Sequence, residues 1–244
     1  EIDKNFKANT DVSGKNVEFR NAEEEPFKIY GVFRENDRFC RLPKSVAQTV
    51  SEGVTLEACK TAGGRIRFCT DSPYVVLHAV MGSYGRMPHF AFCGSCGFDI
   101  YDESDEKNSF LGSFQPPMEN VDEFDRVVEF TSSKMRDIII NMPTYSDVKA
   151  VYIGLEKGSA IMPPKPYKFD VPVLYYGSSI TQGGCSSRPG NTYQQIISRR
   201  LNCDYVNLGF SGNARAEKPM AEYISKLKMS VFVYDYDHNA PSAE

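Results

Sequence analysis

Three short segments near the C-terminal end of the chain carry groups that together suit acyl transfer. Residues 177–183 read Gly-Ser-Ser-Ile-Thr-Gln-Gly, residues 207–213 read Asn-Leu-Gly-Phe-Ser-Gly-Asn, and residues 235–241 read Asp-Tyr-Asp-His-Asn-Ala-Pro. The first offers a serine hydroxyl as a nucleophile, while a glycine N–H and a side-chain amide from the other two can hold an oxyanion. The first segment is not the Gly-x-Ser-x-Gly turn of α/β-hydrolases, because Thr181 replaces its second glycine.

Each of these segments follows a short apolar run that predicts a β-strand, at residues 171–176, 205–208 and 229–234. Between the runs, residues 191–201 and 216–228 repeat apolar side chains at the spacing of an amphipathic helix. Alternating strands and helices within about 65 residues predict an α/β unit with a parallel sheet. Ligands bind beyond the carboxyl ends of such strands, so the three segments are predicted to meet at one edge.

The preceding part of the chain has a different pattern. Residues 1–60 are polar and charged, and the acidic run at residues 23–25 predicts a solvated loop. From Gly63 onward, short β-prone runs separated by turn residues predict an antiparallel sandwich or jelly roll, and the run at residues 90–101 is counted among these strands. A proline-rich stretch ending at Pro166 resembles a linker, which predicts two domains, 1–166 and 167–244.

The three segments resemble the sequence blocks of the SGNH hydrolases, the GDSL esterase/lipase superfamily. The first block of that family, Gly-Asp-Ser-(Leu/Ile)-Thr-x-Gly, is matched with Ser178 in place of Asp. The resemblance implies that Ser179 is the nucleophile and that its N–H, the Gly212 N–H and the Asn239 amide form the oxyanion hole. The glycine that usually precedes this Asn is His238 here.

The resemblance covers about residues 170–244, and a sandwich before such a domain is similar to bacterial two-domain acetylesterases acting on carbohydrates. The expected fold is therefore a jelly-roll-like antiparallel β-sandwich followed by a partial, flavodoxin-like parallel α/β domain. The expected activity is that of a serine esterase removing small acyl groups, such as acetyl, from a carbohydrate-like substrate. No metal or organic cofactor is expected.

The family's general base is a histidine in a late Asp-x-x-His block, whereas this sequence ends at Glu244, about five residues after Asn239. Three strands and two helices would also leave a sheet edge and an apolar face uncovered. We therefore expect these residues to be the front part of a longer protein that holds the nucleophile without its base. A serine without a base loses most of its catalysis, so the 244 residues alone are expected to be nearly inactive.

Several further side chains are candidates for the same site. Ser178, Asn191 and His238 are predicted to bind substrate, although Asn191 equally suits a helix N-cap and His238 could act as a substitute base. His78 lies in an apolar run and is predicted to be a core residue, and His89 has no evident partner. A Cys-Gly-Ser-Cys motif at residues 93–96 lacks the second pair that a zinc site needs, so it predicts two partly buried thiols.

Composition restricts the partners. The net charge of −4 and pI near 5.6 argue against nucleic acid, and the apolar runs are shorter than the ~20 residues of a membrane span. A small-molecule or carbohydrate ester is the expected partner, and the oligomeric state is not predicted. Seven scattered cysteines favour a cytoplasmic protein without excluding secretion. The alternatives are a carbohydrate-binding protein with a vestigial hydrolase domain, or an SGNH enzyme acting on thioesters or phospholipids.

Overall fold

The computed structural model describes residue 12, residues 14–105 and residues 107–236. Two antiparallel sheets form a β-sandwich. One sheet has the order β1 (Val17–Asn21), β11 (Asp147–Glu156), β6 (Tyr74–Ser83) and β9 (Glu123–Glu129). The other has the order β12 (Ile161–Met162), β5 (Arg65–Thr70), β10 (Arg136–Asn141), β7 (Phe98–Asp102) and β8 (Ser109–Phe114), with β2 (Lys28–Tyr30) also paired to β5. A hairpin of β3 (Phe33–Glu35) and β4 (Arg38–Cys40) lies beside them.

The sandwich core is formed by alternate residues of both sheets. On β5, for example, Ile66 and Phe68 join the core cluster. Arg65 and Arg67, which alternate with them, belong to the opposite face of the strand. The predicted antiparallel sandwich is confirmed. The prediction of strand throughout residues 90–101 is wrong in its first half, where helix α3 (Phe92–Cys96) precedes β7. The carbonyls of α3 accept hydrogen bonds from a neighbouring loop, as in Thr144 Oγ1 to Gly94 O at 2.9 Å, a contact between distant parts of the sequence that the local pattern does not encode.

The C-terminal part is the predicted parallel sheet. Its order is β14 (Cys203–Gly209), β13 (Phe169–Gly177) and β15 (Val231–Asp235), with every pair parallel. Helix α5 (Tyr193–Leu201) connects β13 to β14, and α6 (Lys218–Ile224) connects β14 to β15. Both helices are shorter than their apolar patterns suggested, because α5 follows a 3-10 turn at Pro189–Asn191 and α6 ends at Ile224.

Residues from the N-terminal part of the chain pack against this sheet. The chain before residue 60 is not uniformly loop, since it forms α1 (Lys44–Val50) and α2 (Glu52–Ala58) besides the short strands. Ala47 and Val54 of these helices belong to one buried cluster with Leu174 and Leu208 of the parallel sheet. The expectation of an uncovered apolar face is therefore wrong for this face, although the edge strand β15 keeps an exposed Phe232. The acidic run at residues 23–25 is exposed, as predicted.

Within the described ranges, no helix combines the length and the apolar character that crossing a membrane requires.

Candidate active site

Ser179 lies at the carboxyl end of the central strand of the parallel sheet. Strand β13 ends at Gly177, and Ser179 is the first residue of the short helix α4 (Ser179–Gln182). Because β14 and β15 pair with opposite sides of β13, the chain leaves β13 toward one side and returns on the other. Such a topological switch point is where α/β sheets open a crevice for ligands. Ser179 is half-buried there, and the N–H of a first helical residue has no intrahelical acceptor.

The strand ends approach α4 so closely that only glycine fits. A Cβ on Gly177 would lie 2.2 Å from Thr181 Oγ1, and a Cβ on Gly209 would lie 2.2 Å from the backbone nitrogen of Gln182. Asp235, at the end of β15, accepts a hydrogen bond from Thr181 Oγ1 at 3.1 Å. All three strand ends therefore contact the helix that Ser179 begins.

We expect Gly209→Ala to lower the free energy of unfolding by about 1–3 kcal/mol, because its methyl group would meet backbone atoms that cannot move aside. Gly212 makes a matched control. A Cβ there would meet nothing within 4 Å. Gly212→Ala should therefore lower the free energy of unfolding only through backbone strain at its φ of +69°, by on the order of 1 kcal/mol. Urea unfolding of both variants measures the difference, and equal losses would contradict the close approach at Gly209.

Ser178 and Gly212 connect the first two segments. The Gly212 N–H donates to Ser178 Oγ at 2.9 Å, and Ser178 is buried. Gly212 thus lies next to the residue that precedes Ser179, close enough to share the site. An oxyanion role for the Gly212 N–H requires its bond to Ser178 to be shared or exchanged with substrate. The roles of Ser179 and Gly212 in catalysis, and of Ser178 in substrate binding, stay predictions.

Gln182 was not singled out by the sequence, yet it joins three parts of the molecule. Its amide is fully buried, and Nε2 donates to Glu57 Oε2 of α2 at 2.7 Å and to the Thr144 carbonyl of the sandwich at 3.2 Å. Its Oε1 accepts from the Ser211 N–H at 2.8 Å. The only sequence signal was a polar side chain at the variable position of the first block.

The sandwich also reaches the nucleophile through Tyr145. Its hydroxyl donates to the Ser179 carbonyl at 3.3 Å, and its ring packs edge-on against Phe90 with centroids 5.1 Å apart. Burial raises the pKa of the Tyr145 phenol, so it remains a hydrogen-bond donor at neutral pH. This contact joins residues far apart in sequence, which is why the local pattern did not reveal it.

Asn191 contacts the sandwich and does not cap a helix. Its Nδ2 donates to Ser187 Oγ at 2.8 Å, and its Oδ1 accepts a long bond from Tyr101 OH at 3.5 Å. The N-cap interpretation is wrong, because Thr192 occupies the cap of α5 and no side chain caps that helix. A substrate-binding role for Asn191 stays a prediction. His238 and Asn239 lie outside the described residues.

Asp99 of β7 holds the loop of residues 188–191, which contains Asn191. Its carboxylate is fully buried and accepts from the Gly190 N–H and from Asn141 Nδ2, both at 2.7 Å. The Arg188 Nε lies 3.7 Å away. Burial raises the pKa of Asp99 from 3.8 to about 6, against the opposing effect of these hydrogen bonds.

This shift predicts a pH dependence of stability. Because the pKa of Asp99 is higher in the folded state, the unfolded chain releases this proton at a lower pH than the folded protein does. The free energy of unfolding should therefore fall by about 3 kcal/mol as the pH rises from about 4 to about 6. Chemical unfolding at several pH values should show this decline in the parent protein and not in Asp99→Asn. A decline of the same size in both proteins would assign it to other groups.

Two histidines, His78 and His89, lie within the described residues. His78 is buried, with Nδ1 2.8 Å from Asp125 Oδ1 in the sandwich, which confirms the core prediction. His89 is exposed, and its backbone carbonyl lies 3.9 Å from Cys185 Sγ.

Cys93 and Cys96 are both buried, free thiols in α3. In the part of the chain that the structure describes, no cluster of three or more His, Cys, Asp or Glu side chains could hold a metal.

A serine at the switch point of a parallel sheet, beside a glycine turn of the next strand, is the arrangement expected of the serine-hydrolase class. Residues 17–161 match the GxDLY family, described as the N-terminus of the SGNH-hydrolase-type esterases, and residues 170–244 match the GDSL-like lipase/acylhydrolase family. The chain belongs to the SGNH-hydrolase-type esterases. The pattern in the family name, Gly-x-Asp-Leu-Tyr, fits residues 97–101 with Ile for Leu, so it includes the Asp99 and Tyr101 that hold the Arg188–Asn191 loop.

Solved structures share this architecture. A GDSL-like lipase from Bacteroides ovatus is 27% identical with a TM-score of 0.83, and the match covers 92% of this chain and 66% of that one. A salicylyl-acyltransferase from a tetracycline biosynthetic pathway is 16% identical with a TM-score of 0.71, over 89% and 61% of the two chains. An acetyl xylan esterase from the rumen bacterium Butyrivibrio proteoclasticus is 11% identical with a TM-score of 0.50, over 80% and 49%. This chain therefore spans about two thirds or less of these proteins. No curated protein matches it.

Proposed function

We propose that the natural protein is a serine esterase that removes small acyl groups, such as acetyl, from carbohydrate-like substrates. Membership of the SGNH-hydrolase-type esterases supports the reaction class. The carbohydrate part is drawn from the acetyl xylan esterase that shares the fold. The observation that carries the proposal is the position of Ser179, which begins a helix at the carboxyl end of the central parallel strand.

In the proposed reaction, Ser179 Oγ attacks the ester carbonyl carbon and passes its proton to a general base. The negative charge on the former carbonyl oxygen is held by the N–H groups of Ser179 and Gly212 and by the Asn239 amide. The alkoxy group leaves with a proton, and water then releases the acyl group from Ser179. The proposal assigns no general base, and the expectation that these 244 residues contain none stays a prediction.

An alkyl fluorophosphonate tests the nucleophile, because it forms a stable bond to an activated serine as fluoride leaves. Treatment of the natural protein should phosphonylate the peptide that contains Ser179, as mapped by mass spectrometry, and should stop hydrolysis of 4-nitrophenyl acetate. Ser225→Ala, at an exposed position on another surface, should label normally. Labelling of a different serine, or hydrolysis that survives complete labelling, would refute the assignment. A folded protein that neither hydrolyses esters nor takes up the reagent would favour the non-catalytic, carbohydrate-binding alternative.

A further inference from the structure

A polar cavity lies at the opposite end of the parallel sheet from Ser179. It has a volume of about 640 Å³ and lies between the outer face of the β5–β10–β7 sheet and the C-terminal end of α5. Lys168 and Asn202, which directly precede β13 and β14, are among its lining residues. Since β13 has nine residues, the cavity and the nucleophile are separated by roughly 26 Å of extended strand. This is a site of its own, within the ~300–1,000 Å³ range of small-molecule sites.

Several residues that line this cavity carry buried donors without a hydrogen-bond acceptor among the described residues. The Nε and Nη1 atoms of Arg67, which is 2% exposed, form no hydrogen bond with any described residue, and the same is true of Arg199 Nη1 and the Tyr167 hydroxyl. Arg67 Nη2 lies 3.2 Å from Glu103 Oε2, and Arg199 Nη2 donates to a backbone carbonyl. Arg67 Nη2 also lies 3.7 Å from Asp137 Oδ2, and the remaining nitrogens named above have no acceptor among the described residues. A buried donor left without an acceptor costs about 1–3 kcal/mol, which an acceptor-rich ligand would recover.

The charge of the lining favours an anion. Five cationic side chains line the cavity, against three acidic ones, in a chain whose net charge is −4. The cationic residues are Arg67, Lys165, Lys168, Arg199 and Arg200. Guanidinium groups bind carboxylate and phosphate strongly, through charge-assisted hydrogen bonds.

We propose that this cavity binds an oxyanion, the carboxylate or phosphate group of a small molecule. The ligand oxygens accept from Arg67 and Arg199, and the Tyr167 hydroxyl donates to the same group. Lys165 and Lys168 add positive charge along the segment that joins β12 to β13. Because Arg67 belongs to the sandwich and Arg199 to α5, a bound anion bridges the sandwich and the parallel-sheet part of the molecule.

Isothermal titration of the natural protein with inorganic phosphate, D-glucuronate and D-glucose, at an ionic strength held constant with NaCl, tests this proposal. We expect saturable binding of phosphate or glucuronate and none of glucose. Phosphate alone would identify a phosphate site, glucuronate alone a carboxylate site, and both together a site for either oxyanion. Binding of neither anion, or glucose binding as tight as that of glucuronate, would overturn the proposal.

Two variants locate the bound anion. Tyr167→Phe removes a hydroxyl that has no protein partner among the described residues, so it should leave folding intact and weaken anion binding about tenfold. Lys168→Gln should also weaken binding. The exposed Lys226→Gln and the active-site Ser179→Ala should bind the anion as the parent does, which separates this site from the proposed esterase centre. Unchanged affinity in both Tyr167→Phe and Lys168→Gln would place the anion elsewhere and refute the assignment.

Discussion

Ser179→Ala is expected to lower kcat/KM for 4-nitrophenyl acetate by at least about 10³-fold in the natural protein. The variant removes the atom that would form the acyl-enzyme, and the oxyanion donors alone support only a small residual rate. Ser179 is half-buried at the end of β13, and its main chain is held by Tyr145, so the shorter side chain should leave the fold unchanged. A thermal unfolding midpoint equal to that of the parent would show that the loss is chemical.

Ser225→Ala is the matched serine control, and it should retain the parent rate. Hydrolysis in Ser179→Ala at the parent rate would exclude Ser179 as the nucleophile. The same two proteins made as residues 1–244 test the expectation about the base. Ester hydrolysis that depends on Ser179 in these two proteins would show that residues 1–244 supply their own base, and His238 would then be the first histidine to replace.

Arg41→Met is expected to lower the free energy of unfolding by about 3–5 kcal/mol, because it breaks a buried charged network. The guanidinium is 2% exposed and donates four hydrogen bonds to backbone carbonyls. Two go to Lys60 and Glu57 at the end of α2, at 2.6 and 2.8 Å, and two to Asn207 and Gly209 of β14, at 3.0 and 2.6 Å. Removing Arg41 leaves all four carbonyls buried without this donor.

Burial lowers the pKa of Arg41 to about 10, so it stays protonated at neutral pH and the bonds are charge-assisted. Arg41→Lys should restore little stability, since one ammonium group cannot reach four carbonyls in this arrangement. Arg20→Met on β1, where the side chain is 42% exposed and, among the described residues, pairs with Glu18 alone, should change stability by less than about 0.5 kcal/mol. Urea unfolding compares the three variants. Equal stability of Arg41→Met and Arg20→Met would show that the Arg41 network contributes little.

Local patterns were sufficient to predict the parallel sheet. Each of its strands contains a short, mainly apolar run followed by glycine or turn residues, and the segment after β13 carries a recognisable block around Ser179. Both helices between the strands were also predicted, because their apolar residues recur at helical spacing. Their ends were misjudged, since the 3-10 turn at Pro189–Asn191 and the stop at Ile224 depend on packing that spacing does not encode.

The contacts that support the site could not be predicted in this way. Gln182, Tyr145 and Asp99 each bond a residue far away in sequence, and nothing in their own neighbourhood indicates which one. Asp99 alternates with core residues along β7, so the pattern predicts that it lies on the outer face of the sheet. The pattern does not indicate which loop contacts it there. The two helices α1 and α2 have seven residues each, too short for a strong periodic pattern.

The packing of α1 and α2 on the parallel sheet also affects how the chain folds during synthesis. About 160 residues separate Ala47 from Leu208, which share one buried cluster, so at about 5–20 residues per second the helices emerge roughly 10–30 s before their partner strand. The sandwich strands that lie between them in sequence can pair during this interval. The early helices must meanwhile keep apolar side chains exposed on the ribosome, so residues 42–58 offer a chaperone an apolar segment throughout this interval.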